Sequence, residues 1–275
     1  MCIRDRAQAT QNQPEFDIIF TEDTNQYSAS TKGLLEQLDP NIVTHLKDLA
    51  PIARGANNDG VATGMNPTAL YYNTAEFEKN GWAPPATWED LARPEFCGLI
   101  GVTDPNVTYT LHLAQMLGGG ETADIEAGLK ELEGLSKCVK VFERSSSALE
   151  QKLQLGQVLV GAYGTTRIGP LSNSYPIAAM YPERGMVGLS MISVVKNAPN
   201  AQIAQEFINW VLRPETQEQL VAQLDYYPSN VTVKAVPDFP GAATLEQLPD
   251  WQKADAAVIG ANRSKWAEEF VKAIS

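Results

Sequence analysis

Polar side chains with binding chemistry follow three apolar, strand-like runs of the sequence. Hydroxyl, amide and backbone N–H groups at such positions can orient a small polar solute without a nucleophile–base pair. Ligands of α/β sheets bind outside the carboxyl ends of strands, so we expect the three stretches to form a binding site, although helix capping alone explains each one separately. The residues concerned are Thr21, Glu22, Asp23, Thr24, Asn106, Thr108, Tyr109, Tyr163, Gly164, Thr165 and Arg167.

Residue types suited to catalysis or metal binding are scarce. The two histidines, His45 and His112, lie in helical runs beside apolar neighbours, which favours helix-face histidines over a triad or a metal site. The sequence has no G-x-S-x-G, H-E-x-x-H, P-loop or C-x-x-C motif, and "GGGE" at residues 118–121 is typical of a helix C-cap. We therefore expect no catalytic residue, no metal site and no cofactor.

The composition predicts a globular protein that does not bind nucleic acid. The 275 residues are 44% hydrophobic and 20% charged, which is enough chain for two lobes with separate cores. The formal net charge is −12 and the 21 basic residues are scattered, whereas phosphate binding needs clustered Lys and Arg. No apolar run reaches the roughly 18 residues of a membrane span. No signal peptide opens the sequence, so any leader is expected to be missing from it.

Two of the three cysteines have similar surroundings. Cys97 and Cys138 each adjoin a short β-type run, whereas Cys2 lies in the opening hexapeptide. This arrangement suits one disulfide and an oxidising compartment. Two reduced, buried thiols are the alternative.

The first half of the sequence alternates strand-like runs with helical ones. A strand at "FDIIF" is followed by a polar loop and a helix that ends at a leucine stripe, Leu34, Leu35 and Leu38. Residues 61–74 are predicted to form two strand segments broken at Asn66-Pro67. Thr87, with Asp90 three residues later, resembles a capping box at a helix start.

The second half continues the alternation. "CGLIGVTD" is a predicted buried strand whose exit begins a helix, and "SALEQKLQLGQ" is a helix ending near Gly156. Residues 158–170 are predicted to form a strand and a loop, residues 188–200 a strand and a turn, and a helix pair interrupted by Pro214 follows. The β-α-β order predicts an α/β fold with a mostly parallel sheet.

Several of these stretches together resemble a known family. "FDIIFTEDTN", "VGAYGTTR" and "SMISVVKNAPNAQIAQEFINWVLRPETQEQLVAQLDYYPSN" are similar to the extracellular solute-binding proteins of bacterial ABC importers, in the groups that include polyamine, ferric-iron, thiamine and aminoethylphosphonate binders. The resemblance covers residues 16–230. It implies a type II periplasmic-binding-protein-like fold with two α/β lobes, a hinge and a ligand cleft between the lobes.

The resemblance also implies lobe boundaries and a function. The first lobe is expected at residues 1–72 with 190–232, and the second at 73–189 with 233–275. Such a protein captures a small solute in the periplasm, or outside the cell at the membrane, and delivers it to the permease subunits as a monomer. A transferase-like enzyme or a sensory domain on the same fold is the alternative. Few titratable residues, namely Glu22, Asp23 and Asp104, occur among the expected cleft residues, which favours the receptor.

The N-terminus departs from the family pattern. Family members begin with a strand, a helix and a second strand before the run matched by "FDIIF", whereas here only about fifteen residues precede it. We therefore expect an incomplete first lobe with an exposed sheet edge and poor solute binding. "MCIRDR" matches nothing in the family and is interpreted as a cloning, assembly or gene-calling remnant.

The ligand-facing positions depart as well. Polyamine binders have a Trp and an Asp where this sequence has Gly188 and Ser190, and a dication without carboxylate partners is disfavoured on burial. Tyrosines 226 and 227 could ligate iron, but a tyrosine before Pro also forms a wall of the cleft in other members. Arg167 would suit a carboxylate or phosphonate if it points inward, and an outward orientation stays open.

The resemblance also adds residues and roles to the predicted site. Tyr163 is expected to stack on the solute or wall it, and Thr165 to hydrogen-bond it. Three further ligand-binding residues are expected at the crossings between lobes and beside "PSN", namely Tyr72, Ser190 and Tyr227.

Overall fold

The computed structural model describes residues 9–10, 12–247 and 251–274, so Cys2 and the hexapeptide interpreted as a remnant lie outside the described residues. The chain forms two compact units. Unit 1 comprises Met1–Asn66 and Gly188–Val236, and unit 2 comprises Pro67–Val187 and Pro237–Ser275. The predicted lobe limits after residues 72, 189 and 232 stay a prediction, and each unit is described by itself.

Seven strands and nine α-helices occur within the described residues. The strands are β1 Ile18–Glu22, β2 Val61–Asn73, β3 Ile100–Thr103, β4 Val139–Glu143, β5 Val160–Gly164, β6 Ile177–Met180 and β7 Val187–Val194. The helices are α1 Asp23–Thr31, α2 Thr74–Asn80, α3 Thr108–Gly118, α4 Ile125–Gly134, α5 Ser146–Gln154, α6 Thr165–Ser172, α7 Ala201–Val211, α8 Pro214–Leu224 and α9 Ala256–Ile274. No helix in this part of the chain is both long and apolar enough to cross a membrane.

Unit 1 is built around the antiparallel pair β1 and β7, in which Phe20 lies opposite Ile192 and Glu22 opposite Ser190. The apolar stripe of α7 packs on this sheet and buries Ala204 and Ile208. The predicted helix pair around Pro214 is confirmed, because α7 ends at Val211 and α8 begins at the proline itself. These elements fix the end of β1, where the first predicted stretch lies.

In unit 2, β2 pairs with β5 and with β6, and both pairs are antiparallel. Strand β3 then pairs in parallel with β5 and with β4. The prediction of a mostly parallel sheet is therefore wrong. The reason is that β2 and β7 carry the chain from one unit into the other, and they do not return through a helical crossover as a β-α-β unit does. Parallel pairing is left to β3, β4 and β5, which bring two of the predicted stretches to the same edge.

The core of unit 2 joins aromatic and aliphatic side chains of α2, α3, α4 and α9, including Phe77, Leu111 and Phe270. A disulfide links Cys97, before β3, to Cys138, before β4. The predicted disulfide is confirmed, and the alternative of two reduced thiols is wrong. The Gly98 backbone N–H donates to the Cys138 carbonyl oxygen over 2.7 Å, so the bridge and the backbone fix the same corner.

Local signals at helix ends were predicted well. Thr87 and Asp90 form a capping box at the start of the 3-10 helix Trp88–Ala92, with the Thr87 N–H 3.0 Å from the Asp90 carboxylate. Gly119 ends α3 at a φ of 142°, which confirms the C-cap in "GGGE".

Three element predictions are wrong. Helix α1 ends at Thr31 because Gly33 adopts a φ of 67°, so the leucine stripe lies in a buried loop. Strand β2 is continuous through Asn66-Pro67, where the units divide. The predicted loop "GTTR" is the start of α6, which follows β5 directly and contains Pro170.

Candidate solute-binding site

The ends of β3 and β5 form the candidate site of unit 2. Because the two strands are parallel neighbours, the residues that follow Thr103 and Gly164 emerge at one edge of the sheet. After β3, the Asn106 N–H donates to Asp104 Oδ1 over 2.9 Å, and this turn leads into α3. After β5, α6 begins at once with Thr165. The structure thus brings the second and third predicted stretches together.

Tyr109 occupies this edge because Gly164 has no side chain. A Cβ on Gly164 would lie only 2.6 Å from the Tyr109 hydroxyl oxygen and closer still to its ring, so no other residue fits beneath the ring. The Tyr109 ring meets that of Tyr163 edge to face, with centroids 5.1 Å apart. The predicted Gly164 therefore positions an aromatic side chain that is partly exposed.

Tyr163 lies in the core of unit 2 and has no exposed surface, a position at odds with the predicted solute wall. Its hydroxyl lies 3.0 Å from the Ser146 carbonyl oxygen and 2.9 Å from Glu150 Oε1, both of which can accept its proton. Burial raises the pKa of this hydroxyl well above its usual value. The physical reason is that both faces of the sheet are covered at β5, where all five residues are buried.

Arg167 is the positively charged group of this site, and its side chain is 50% exposed. Its guanidinium hydrogen-bonds Tyr109, and its Nη1 lies 3.5 Å from Glu150 Oε1. The side chain borders a cavity of about 370 Å³. Thr165, in contrast, is fully buried. The cavity is lined by Glu150, Gln154, Thr166, Arg167, Pro170, Leu171, Ser174 and Tyr175.

Two other predicted site residues of unit 2, Tyr72 and Thr108, contact side chains within the protein. Tyr72 is half-buried on β2, and its ring centroid lies 5.1 Å from that of Phe77. Thr108 Oγ1 accepts a hydrogen bond from Arg263 Nη2 over 3.1 Å, which ties α9 to the start of α3. Tyr72 thus faces core side chains, and Thr108 has a partner within the protein.

His112 is a buried, neutral histidine of α3. Its Nδ1 lies 2.7 Å from Thr68 Oγ1. Burial and the nearby Arg263 cation lower the pKa of His112 to about 3. Across the described residues, no three His, Cys, Asp or Glu side chains lie close enough together to hold a metal ion.

In unit 1 the end of β1 runs directly into α1. Glu22 is exposed, whereas Thr24 is buried and its N–H donates to Asp23 Oδ1 over 2.8 Å. Thr21 Oγ1 is buried without a hydrogen-bond partner. Of the first predicted stretch, Glu22 is therefore the most exposed residue.

Ser190 lies opposite Glu22 in the β1–β7 pair, and its Oγ is 2.8 Å from the Tyr226 hydroxyl. Tyr226 is half-buried, and a Cβ on Gly64 would lie 2.6 Å from its Cγ, so the ring rests on bare backbone. Tyr226 was considered from the sequence only as a possible iron ligand and was not among the predicted solute-binding residues. The glycine inside β2 was the available signal, since a strand glycine often marks a close approach.

Tyr227, which was predicted instead, is a core residue. It has no exposed surface, and its backbone exchanges two hydrogen bonds with Met65, at 2.8 and 2.9 Å. Successive residues of an extended chain point to opposite sides, so burying Tyr227 turns Tyr226 outward.

Residues 5–250 match the family model of bacterial extracellular solute-binding proteins, and the chain belongs to this family. The spermidine/putrescine-binding periplasmic protein of Escherichia coli K12 is 25% identical over 263 residues, covering 88% of this chain and 72% of the relative. The gamma-aminobutyric acid-binding protein of Pseudomonas aeruginosa is 25% identical over 224 residues, covering 78% and 61%.

Solved structures share the fold. An ABC transporter structure from Clostridium perfringens has a TM-score of 0.78 at 21% identity, covering 98% of this chain and 88% of that chain. Iron-bound HitA from Pseudomonas aeruginosa has a TM-score of 0.77 at 18% identity, covering 98% and 87%. The predicted family of extracellular solute-binding proteins and the type II periplasmic binding fold are confirmed.

Proposed function

We propose that this protein binds a small polar solute outside the cytoplasm, without catalysis, and delivers it as a monomer to the permease subunits of an ABC importer. Family membership supports the binding function, and the periplasmic relatives support the location. The observation that carries the proposal is the arrangement at the end of β5, where Gly164 admits the Tyr109 ring and Arg167 borders an open cavity.

Arg167 is the group in unit 2 suited to a carboxylate or phosphate of the solute. A guanidinium offers two parallel N–H donors to such an anion, and Tyr109 and Glu150 hold it in place beforehand. Asn106 and Thr166 add an amide and a hydroxyl at the same edge. The predicted cleft contacts of the remaining site residues stay proposals.

The names of the relatives supply a panel of test solutes: spermidine, putrescine, γ-aminobutyrate and phosphoglycerate. Thermal unfolding is measured with each compound, followed by calorimetric titration of those that raise the melting temperature. A solute at a hundredfold excess over its Kd should stabilise the folded protein by about 2.7 kcal/mol. Native mass spectrometry of protein purified without refolding detects a solute that co-purifies.

The matched variants are Arg167→Gln and Arg184→Gln. Both remove one exposed arginine of unit 2, but Arg184 contacts the Gly119 carbonyl, outside the strand-end site. We expect Arg167→Gln to weaken binding of an anionic solute at least tenfold, which corresponds to about 1.4 kcal/mol. Equal affinity of both variants for such a solute would contradict the assignment of Arg167.

A further inference from the structure

Unit 1 contains an aromatic side chain that is held in place before any solute arrives. Three contacts fix Tyr226: the ring lies on Gly64, the hydroxyl meets Ser190 Oγ at 2.8 Å, and the next residue is anchored by two backbone hydrogen bonds to Met65. A ring held this way has already lost its rotational freedom, so a ligand that packs on it meets a smaller entropic cost.

The backbone around Tyr226 is equally well fixed. Thr63 Oγ1 donates to the Ser190 carbonyl oxygen over 3.1 Å, joining β2 to β7 beside the ring. Buried Gln217 donates to the Thr63 carbonyl over 2.8 Å and accepts from the Ser229 N–H over 2.8 Å. These bonds tie the chain on both sides of Tyr226 to the same strands. Because these hydrogen bonds hold the backbone on both sides of it, the half-buried Tyr226 is better suited to contact a ligand than a mobile surface side chain would be.

The chemistry next to the ring is acidic. Glu22 is exposed at the end of β1, directly across the strand pair from Ser190. An aromatic face and one carboxylate are the two groups that recognise an ammonium: the face attracts the cation and the carboxylate compensates its charge. A single carboxylate fits one ammonium group better than the two or more charges of a polyamine.

We infer that Tyr226 contacts the solute in unit 1 and receives its ammonium group together with Glu22, while Gly64 and Ser190 act as positioning residues for the ring. This inference rests on the proposed function and deepens it, because it names the chemical class of one solute group. Tyr227, one residue away, belongs to the core and takes no part.

The test measures affinity by titration calorimetry with γ-aminobutyrate, putrescine and phosphoglycerate, together with the melting temperature of each solute-free variant. We expect binding of a solute with an amino group. Tyr226→Leu should weaken it at least tenfold and leave the solute-free melting temperature nearly unchanged. The control Tyr181→Leu, at a half-buried tyrosine of unit 2, should change affinity less than twofold.

The positioning residues are tested by double variants. Gly64→Ala should lose as much affinity as Tyr226→Leu, because the added Cβ displaces the ring. In the Tyr226→Leu background the ring is absent, so Gly64→Ala should then add less than twofold. Tyr226→Phe and Ser190→Ala remove the same hydrogen bond and should each weaken binding by the same few-fold factor. Tyr226→Phe also keeps the test decisive if Tyr226→Leu does not fold.

The contrary outcomes separate the two proposals. Unchanged affinity in Tyr226→Leu, or a full additive loss in the double variant, overturns the role of Tyr226 and leaves the proposed function standing. Binding only of phosphoglycerate, or a co-purified molecule without an amino group, overturns the ammonium assignment. No binding by the unaltered protein and no retained molecule in native mass spectrometry overturn the proposed function and this inference together.

Discussion

Each unit lays a tyrosine ring on a glycine of a strand, and the two pairs differ in what holds the hydroxyl. In unit 1 the Gly64–Tyr226 pair is completed by the neutral hydroxyl of Ser190. In unit 2 the Gly164–Tyr109 pair is completed by the cation of Arg167. In both units a glycine makes room for a tyrosine ring, but the ring lies beside a neutral hydroxyl in unit 1 and beside a cation in unit 2.

The rings also differ in what lies behind them. Tyr109 packs edge to face on the buried Tyr163, so its position is part of the core of unit 2. Tyr226 rests on backbone and on one hydroxyl. We conclude that disturbing the Gly164 pair should cost stability, whereas disturbing the Gly64 pair should cost affinity.

The largest expected effect concerns the disulfide of unit 2. Cys97→Ser with Cys138→Ser should lower the free energy of unfolding of unit 2 by about 4 kcal/mol, because the bridge closes a loop with a sequence separation of 41. Unit 1 should unfold as before.

Tryptophan fluorescence during urea unfolding separates the units. Of the five tryptophans, Trp210 alone belongs to unit 1, so a Trp210→Phe background reports unit 2. Loss of stability in both units to the same extent would show that they unfold as one and would break the comparison.

The second effect concerns pH. His112 has a pKa of about 3 in the folded protein and about 6.5 when unfolded, so below pH 6.5 the unfolded chain binds the extra proton. Stability is therefore complete above pH 6.5 and is lost as the pH falls, by about 3 kcal/mol between pH 7 and pH 4.

Urea unfolding of unit 2 at several pH values checks this expectation. The control is His112→Asn, whose side chain can still hydrogen-bond Thr68 but does not titrate in this range. The variant should lose about 3 kcal/mol less than the parent on acidification. Parallel curves for the two proteins would show that His112 is not the responsible group.

The smallest expected effect sharpens the comparison directly. Gly164→Ala should destabilise unit 2 by about 1 to 3 kcal/mol, because the Tyr109 ring cannot move without disturbing Tyr163. Gly64→Ala should change the stability of unit 1 by less than about 1 kcal/mol, since Tyr226 can swing aside and alanine costs less backbone entropy than glycine.

Urea midpoints of the two alanine variants, measured without solute, decide between these values. Adding Tyr109→Leu should restore part of the loss in Gly164→Ala. A larger loss for Gly64→Ala than for Gly164→Ala would reverse the comparison.

Features governed by nearby residues could be predicted from the sequence. The capping box at Thr87, the glycine that ends α3 and the helix pair around Pro214 each depend on a few consecutive residues. The family resemblance supplied the fold, which the short motifs alone would not have specified.

The failures depend on pairing between distant strands. The antiparallel pairing of β2 and the choice of outward tyrosine, Tyr226 over Tyr227, follow from register, and a shift of one residue exchanges the faces of a strand. The burial of Tyr163 also depends on packing between distant elements, because its position after an apolar run indicated a strand end but not that every residue of β5 would be covered.

The two glycine–tyrosine pairs also constrain the order in which homologous sequences can diverge. Tyr226 can become smaller while Gly64 is retained, but a side chain at Gly64 displaces the large ring from its position and so removes its contact with the solute. The same order applies to Tyr109 and Gly164. In relatives that adapt to new solutes, loss of the tyrosine should therefore precede loss of the glycine. A relative that keeps the glycine but lacks the tyrosine would represent the intermediate stage.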